Sequence, residues 1–197
     1  THTGIVVLAG KNTYTGSTTI NGGGLALAST GKLSSSTAVN LASNTSFDIS
    51  GIDASSQTIA SLTAATGSSV VLGAKNLTTG DASSTTVAGV ISGDGGTLTK
   101  QGSGSMTLTA VNAYTGATTI TDGTLALSGA GSLADTSDVN ITGATGTFDI
   151  SAISASSETI GSIAGVAGSK AVLGAKNLKA GGSADTTMAG VISGNGG

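Results

Sequence analysis

The chain repeats itself with a spacing of about one hundred residues, and this repeat limits its possible folds more than any other feature. Residues 12–20 (NTYTGSTTI) recur as residues 112–120 (NAYTGATTI), an offset of 100. Residues 47–50 (FDIS) recur as residues 148–151, an offset of 101, so the second copy has gained one residue before its FDIS segment. Repeats of this kind are typical of architectures built by stacking similar units.

The alternation of side chains inside each copy predicts β-strands. Between Leu98 and Ile120 the apolar and glycine positions fall mainly on even numbers, and a period of two places one face of a strand inside. After Ile120 the apolar residues move to odd numbers, at Leu125 and Leu127, which indicates a turn. No segment has a helical period, and Gly, Thr and Val are poor helix formers. We predict strands at 5–9, 17–21, 24–28, 38–42, 46–50, 58–62, 69–73, 85–91 and 97–100, with equivalents one repeat later.

We assign residues 1–103 to a first repeat unit and residues 104–197 to a second, within one continuous β-solenoid. Two separate β-sandwich domains are the alternative, but the chain has no Trp and two Phe as anchors for such cores. It also runs from Gly96 to Gly102 without a linker. A solenoid needs only thin columns of Leu, Val, Ile and Ala between coils. Coils of about 20–25 residues predict roughly eight or nine rungs and a length of about 40 Å.

Composition excludes several classes of protein. The seven basic residues are all Lys, and the net charge of -3 argues against nucleic-acid binding. There is no Cys for a disulfide or a thiolate metal site, and no apolar run of about 18 residues for a membrane helix. Low charge and abundant Val, Ile and Thr favour a folded chain over disorder. No signal peptide is recognisable, and we expect the chain to be a piece of a longer protein.

One motif resembles a known family. The pattern G-x-L-x-K-x-G-x-G-x-M-x-L at residues 96–108 is followed by N-x-Y-x-G-x-T-x-I-x-x-G-x-L at residues 112–125. This is similar to the autotransporter-associated β-strand repeat, also called the passenger-associated transport repeat, and the first copy matches its second half over residues 4–27. The family usually has Gly two residues before the Asn; Gly10 fits this pattern and Ala110 departs from it.

The resemblance implies a passenger domain of a bacterial autotransporter, exported by type V secretion. Such passengers are typically right-handed parallel β-helices on the cell surface, joined to a C-terminal outer-membrane barrel of the same full-length chain. The absence of Cys is consistent with this route, because periplasmic disulfides would obstruct passage through a pore.

We expect no catalytic, cofactor-binding or metal-binding residues. A Ser-His-Asp triad or a His-based zinc site would have to use His2, the only histidine, which has no counterpart in the second unit. Asp48 and Asp149 recur inside strands and should face solvent, while Asp53 is replaced by Ser154 in the second unit. A glycine-rich segment at residues 93–96 resembles a tight turn more than a calcium-binding nonapeptide.

We interpret the recurring polar residues primarily as structural. We expect the repeated asparagines to lie at turns and to bond neighbouring coils; they are Asn12, Asn112, Asn40, Asn140, Asn76 and Asn177. Tyr14 and Tyr114 either pack on the following glycines or stand exposed as contact residues. Paired threonines are compatible with an ice-binding face, but the sequence shows no threonine ladder at the spacing of one coil.

The function we expect is adhesion or self-association at the cell surface, with a host surface, matrix or glycan ligand as a possible partner. Exposed faces rich in Ser, Thr and Asn and the lack of catalytic groups motivate this expectation. The alternative is a passive stalk that presents a distal domain and aids secretion. We expect no enzymatic activity, no cofactor, no nucleic acid and no small-molecule substrate.

Overall fold

A computed structural model describes residues 3–183 and 185–196, and these residues form strands joined by turns, with no helix among them. The longest strands have seven residues and most have three or four. This agrees with the frequent Gly, Ser, Asn and Asp residues of the sequence, which favour turns. The strands are β1 (Ile5–Leu8), β2 (Thr18–Ile20), β3 (Gly24–Ser29), β4 (Val39–Leu41), β5 (Ser46–Ile52), β6 (Ser56–Thr58), β7 (Leu62–Ala64), β8 (Ser69–Val71), β9 (Asn76–Thr79), β10 (Thr85–Val87), β11 (Val90–Gly93), β12 (Thr97–Lys100), β13 (Ser105–Leu108), β14 (Ala113–Tyr114), β15 (Thr118–Ile120), β16 (Thr124–Gly129), β17 (Val139–Ile141), β18 (Thr147–Ile153), β19 (Ser157–Ile160), β20 (Ile163–Gly165), β21 (Lys170–Gly174), β22 (Asn177–Ala180) and β23 (Val191–Gly194).

The strands form a parallel β-solenoid of about nine turns, as the sequence predicts. The first sheet has the order β1-β3-β5-β8-β11-β14, and the second has the order β6-β9-β12-β15-β17-β20. The third sheet runs β2-β4-β7-β10-β13-β16-β18-β21-β23, and the pair β19-β22 takes the place of the first sheet in the last turns. The chain visits the three sheets in this order in every turn. Isolated parallel bridges fill the positions without a strand: Lys11↔Lys32, Val111↔Ser132 and Gly165↔Met188.

Thin apolar columns run along the inside of each sheet. In the first sheet Leu25, Phe47, Val70 and Ile91 are in register on consecutive turns, and all are buried. Each such aliphatic or aromatic side chain stabilises the fold by about 1.5–3 kcal/mol when it leaves water. Every turn therefore contributes a few apolar residues, and no large globular core forms.

Several predicted strands are correct, whereas the bounds or the number of others are wrong. The predicted strand at 58–62 covers the corner between β6 and β7, and the one at 85–91 is two strands, β10 and β11. The strands β9, β14 and β22 were not predicted. The alternation continues through corners, because corner residues such as Ile59 also point inward and are buried. Periodicity alone therefore does not reveal where one sheet ends and the next begins.

Equivalent strands of the two repeat units lie in different sheets. Strand β3 belongs to the first sheet, whereas its equivalent β16 belongs to the third. Strand β1 is at the first position of turn one and its equivalent β13 is at the third position of turn five. One unit therefore spans four turns plus two of the three sheet positions, and the second unit is rotated by two thirds of a turn. Strand pairing continues from one unit into the other, since β10 pairs with β13.

Candidate functional site

The acidic residues are spread over several coils in the described part of the chain. Among those residues no group of three or more His, Cys, Asp or Glu side chains is placed so that it could hold a metal ion. Asp48 and Asp149 lie on outer faces, partly exposed, and each accepts a hydrogen bond at 2.8 Å from the backbone N–H two residues later. The exposed Asp94 accepts a hydrogen bond from Thr115 in a neighbouring coil. His2 lies outside the described residues.

Asn112 connects three consecutive coils. Its Nδ2 donates to Ala110 O at 2.9 Å and to Ser132 O at 3.0 Å, and its Oδ1 accepts from Ile91 N at 3.0 Å. Asn12 makes the equivalent Nδ2 bonds to Gly10 O and Lys32 O. The predicted role in bonding adjacent coils is therefore confirmed for this pair.

The other repeated asparagines are placed differently. Asn40 and Asn140 stand in the middle of β4 and β17, partly buried, so their prediction as turn residues is wrong. A three-residue strand between two Ser-rich or Asp-containing segments resembles a turn in sequence, which explains the error. Asn76 begins β9 and its side chain bonds three threonine hydroxyls, and Asn177 begins β22.

The two tyrosines share a local contact but differ in burial. Tyr114 is fully buried, and a hydrogen bond of 2.7 Å joins its hydroxyl to Thr118 Oγ1. The Ser137 hydroxyl donates to Gly116 O at 2.8 Å beside this pair. Burial raises the pKa of Tyr114, which keeps the phenol neutral. Tyr14 has the same bond to Thr18 but is exposed. Packing is thus the role of Tyr114, while Tyr14 stands uncovered.

A buried carboxyl group, Glu158, was not singled out by the sequence. Its Oε1 accepts a hydrogen bond of 2.7 Å from Leu133 N. Burial raises the pKa of Glu158 from 4.5 to about 7, and the negative charge of Asp135 acts in the same direction. The equivalent residue of the first unit is Gln57, whose amide accepts from Leu33 N and donates to Leu33 O. The signal available in the sequence was the replacement of Gln by Glu at a position with inward parity.

Lys100 is also buried, within the segment that resembles the known repeat. Its ammonium group donates to the carbonyl oxygens of Gln101 at 2.8 Å, Gly102 at 2.7 Å and Asp122 at 3.2 Å. Burial lowers the pKa of Lys100, and the charges of Asp122 and Asp81 oppose that shift. Lys100 therefore links the corner that follows β12 to the next coil through these hydrogen bonds.

A column of threonines follows the outer face of the second sheet. Thr58, Thr78, Thr99 and Thr119 are in register on four consecutive turns, and Asn140 continues the column. They alternate with inward residues such as Leu77 and Leu98, so their side chains point outward. Our expectation that no threonine ladder exists at the spacing of one coil is therefore wrong. Because coils advance by 19 to 24 residues while the unit repeats every hundred, threonines from unrelated repeat positions come into line.

A groove of about 820 Å³ lies where turns seven to nine pass from β19 and β22 towards the second sheet. Asp135, Asp138 and Lys179 carry its charges, and Asp138 accepts a hydrogen bond from Ser162 at 2.7 Å. The equivalent residues of the first unit are Ser35, Ala38 and Thr78, so its charges are not repeated.

Comparison with known proteins identifies the repeat. The family model of the passenger-associated-transport-repeat matches residues 2–27 and 98–127. No curated protein and no solved structure matches the chain. In residues 3–183 and 185–196 we find no helical segment of the length and hydrophobicity needed to span a membrane.

Proposed function

Because the chain carries two passenger-associated-transport repeats in one β-solenoid, which together support an autotransporter passenger domain, we propose that it mediates adhesion or self-association at the bacterial surface. The repeat family implies a secreted or cell-surface protein. Repeats and solenoids of this kind are typically structural, and we propose a binding role without enzymatic activity.

The threonine column on the second sheet supports this proposal. It offers hydroxyl groups on four consecutive turns, about 4.8 Å apart, on a sheet face with little charge. Hydroxyl and amide groups can exchange hydrogen bonds with the hydroxyls of a glycan or with a similar face of another passenger. A repeated weak contact gains strength through multivalency when several turns engage together.

A passive stalk is the second candidate, and the continuity of the strand pairing favours it. The third sheet runs through nine strands without a gap at the boundary between the units. A rod of this kind can hold a distal domain away from the membrane, and sequential stacking of coils can aid secretion.

Charge introduced into the threonine column tests the binding proposal. We expect the double variant Thr58→Lys/Thr119→Lys to lose binding to cells, matrix or glycan arrays and to lose lateral self-association. Neither hydroxyl takes part in a side-chain hydrogen bond within the described chain, so the fold should be retained.

The matched control is Thr63→Lys/Thr86→Lys, two exposed threonines on the outer face of the third sheet. This variant should bind as the parent does. If the parent chain neither binds nor self-associates, the adhesion proposal fails and the stalk remains. Equal loss in both variants would show that the threonine column is not the contact face.

A further inference from the structure

A polar groove of about 270 Å³ lies on the side of the solenoid, at the corner where turns one to three leave the first sheet. Its charged lining residues are Lys11, Lys32 and Asp53, and all three are exposed. Lys11 and Lys32 are in register on adjacent turns, which places their backbones about 4.8 Å apart. None of the three side chains has a hydrogen-bond or ion-pair partner among residues 3–183 and 185–196. The groove thus offers two unpaired ammonium groups and one unpaired carboxylate.

We propose that this groove binds a carboxylated sugar residue of a glycan. The ammonium groups of Lys11 and Lys32 hold the carboxylate of the ligand, and Asp53 accepts hydrogen bonds from its hydroxyl groups. The volume is close to the lower end of the range for small-molecule sites, which suits a single sugar residue. The groove is separate from the threonine column of the second sheet, so this proposal goes beyond the function proposed above and stands or falls without it.

The lining provides groups that a neutral sugar or a simple anion would each use only in part. Ammonium groups form strong charge-assisted hydrogen bonds with a carboxylate. The Asp53 carboxylate accepts from hydroxyl groups, and Thr30 Oγ1, which already donates to Ala9 O at 2.9 Å, can also accept. The charge of Asp53 disfavours a small dianion such as inorganic phosphate beside it. A molecule with one carboxylate and several hydroxyl groups therefore fits this lining best.

Hydrogen bonds to both neighbouring turns fix the backbone that carries Lys32. Its N–H donates to Gly10 O at 3.3 Å, and its carbonyl oxygen accepts from Asn12 N at 2.9 Å. From turn three, the buried side chain of Gln57 accepts from Leu33 N at 3.3 Å and donates to Leu33 O at 3.1 Å. A site held in this way needs little ordering of the backbone when a ligand binds.

Ser29 lines the groove in a strained backbone conformation. Its φ is +52°, in the left-handed region, where the equivalent Gly129 of the second unit has a φ of +60°. Glycine adopts this conformation freely, whereas serine does so at a cost, and such strain is concentrated at ligand sites. A glycine at residue 29 would avoid the cost but would remove a hydroxyl group from the groove.

The second unit repeats the backbone of this corner but not its chemistry. Asp53 N donates to Ser29 O at 2.7 Å, and the equivalent Ser154 N donates to Gly129 O at 2.6 Å. The polar residues of the first unit are Lys11, Ser29, Thr30, Lys32, Asp53 and Gln57. Their equivalents, in the same order, are Val111, Gly129, Ala130, Ser132, Ser154 and Glu158. The corner therefore folds without the charged lining, which leaves ligand binding as the role that the lining fits.

The position of Lys11 stays open when turns lie on both sides of it. Its equivalent, Val111, belongs to turn six, where β14 pairs with β11 of turn five and Val111 itself pairs with Ser132 of turn seven. Val111 is nevertheless 63% exposed. Lys32 also has a turn on each side and is exposed. Side chains at this corner point away from the axis, so stacked turns do not cover the groove.

Calorimetric titration of the chain with soluble oligosaccharides tests the proposal. The acidic probes are a trimer of galacturonic acid and sialyllactose, and their neutral counterparts are the carboxyl-reduced trimer and lactose. We expect at least one acidic probe to bind with one molecule per chain, more weakly as the salt concentration rises. The neutral probes and inorganic phosphate should bind at least about tenfold more weakly. Binding of neither acidic probe, equal binding of the neutral counterparts, or tighter binding of phosphate overturns the proposal.

Exchange of the two lysines for their second-unit equivalents tests the role of the ammonium groups. We expect Lys11→Val/Lys32→Ser to weaken binding of the acidic probe at least about tenfold. The matched control, Lys75→Gln/Lys170→Gln, removes the same charge outside the groove and should bind like the parent. An equal loss in both variants would mean that net charge alone attracts the probe, and the groove would not be the site.

The role of Asp53 has its own signature. Asp53→Ser removes the acceptor for hydroxyl groups and also the repulsion of dianions. We expect binding of the acidic sugar to weaken and binding of inorganic phosphate to strengthen in this variant. Tighter binding of the acidic sugar would show that Asp53 opposes the ligand, which contradicts the proposed arrangement.

Transfer of the lining to the second unit is the strictest test, because that corner lies between turns on both sides. The graft consists of Val111→Lys, Gly129→Ser, Ala130→Thr, Ser132→Lys, Ser154→Asp and Glu158→Gln. We expect the stoichiometry of the acidic probe to rise from one to two per chain. A graft with the circular dichroism of the parent and a stoichiometry of one overturns the assignment of these residues. Since all of these measurements use soluble probes, a negative result leaves adhesion through the threonine column unaffected.

Discussion

At the scale of single residues, the two repeat units provide matched comparisons at buried polar positions. The side-chain amide of Gln57 accepts a hydrogen bond from Leu33 N and donates one to Leu33 O. Glu158 occupies the equivalent place beside Leu133, where its carboxylate accepts from Leu133 N. A protonated carboxyl group can donate as well as accept, so protonation makes Glu158 chemically similar to Gln57.

This similarity predicts a pH-dependent stability. The pKa of Glu158 is about 7 in the folded chain against 4.5 for an unperturbed carboxyl group, so the folded state binds the proton more tightly. The contribution of Glu158 to stability is therefore greatest below pH 4.5, falls as the pH rises to about 7, and stays low above it. We expect Glu158→Gln to stabilise the fold by about 1–3 kcal/mol at pH 8 and to change little at pH 4.5.

Urea unfolding at both pH values measures this effect. The reverse substitution, Gln57→Glu, should introduce a second fall in stability over the same range. An equal effect of Glu158→Gln at pH 4.5 and pH 8 would contradict the titration of this group.

Lys100 gives a second residue-scale prediction. Replacement by Met keeps much of the side-chain volume but leaves three carbonyl groups without their donor. We expect Lys100→Met to destabilise the chain by about 2–4 kcal/mol in denaturant unfolding. Lys170→Met, at an exposed position of β21, is the control and should change stability by less than about 0.5 kcal/mol. An equal loss of stability in the two variants would show that the hydrogen bonds of the Lys100 ammonium group do not stabilise the fold.

At the scale of strands and corners, close approach between coils limits side-chain size. A Cβ added to Gly116 would lie 2.5 Å from Gly96 O and 2.7 Å from the Thr97 side chain. At Gly16 the same atom would meet nothing within 4 Å among the described residues.

We therefore expect Gly116→Ala to destabilise the fold by about 1–3 kcal/mol and Gly16→Ala to change it by less than about 0.5 kcal/mol. Thermal or urea unfolding of the two variants measures the difference. A tolerated Ala at residue 116 would mean that adjacent coils can separate locally at little cost.

The strands were predictable from alternation, whereas their assignment to sheets was not. Leu25, Phe47 and Leu98 have the expected inward parity because burial selects apolar side chains at every second position. At corners such as Ile59 the same inward selection continues, so the pattern carries no mark of the change in direction. Glu158 was missed because its partner is a backbone atom of another coil, and the replacement of Gln57 by an acid at an inward position was the one signal for it in the sequence.

At the scale of the whole molecule, the solenoid followed from the repeat and from the lack of large core anchors. The rotation between units did not, because it depends on the sum of coil lengths that vary from 19 to 24 residues. The same coil lengths bring Thr58, Thr78, Thr99 and Thr119 into register. A ladder built from unrelated repeat positions cannot be found by comparing the two units.

Removal of one whole unit should shorten the rod and preserve the fold. Deletion of residues 24–123 joins Gly23 to Thr124, so β16 takes the place of β3 beside β1 as it does beside β13. We expect β-sheet circular dichroism to persist per residue and the maximum dimension from X-ray scattering to fall by about 22 Å. A stalk should keep its function after this change, whereas a binding segment should lose affinity. Loss of the β signal would contradict a junction that is interchangeable between units.

The fractional number of turns in a unit also sets the directions in which a longer fibre of such units would present its side chains. Three such units make fourteen complete turns, so a given surface feature returns to its original azimuth only at the fourth unit. Successive copies point 120° apart around the axis. Such a fibre would present the same patch to a flat target in any of three orientations about its axis. Adding or removing one unit would rotate every residue beyond that unit by 120°.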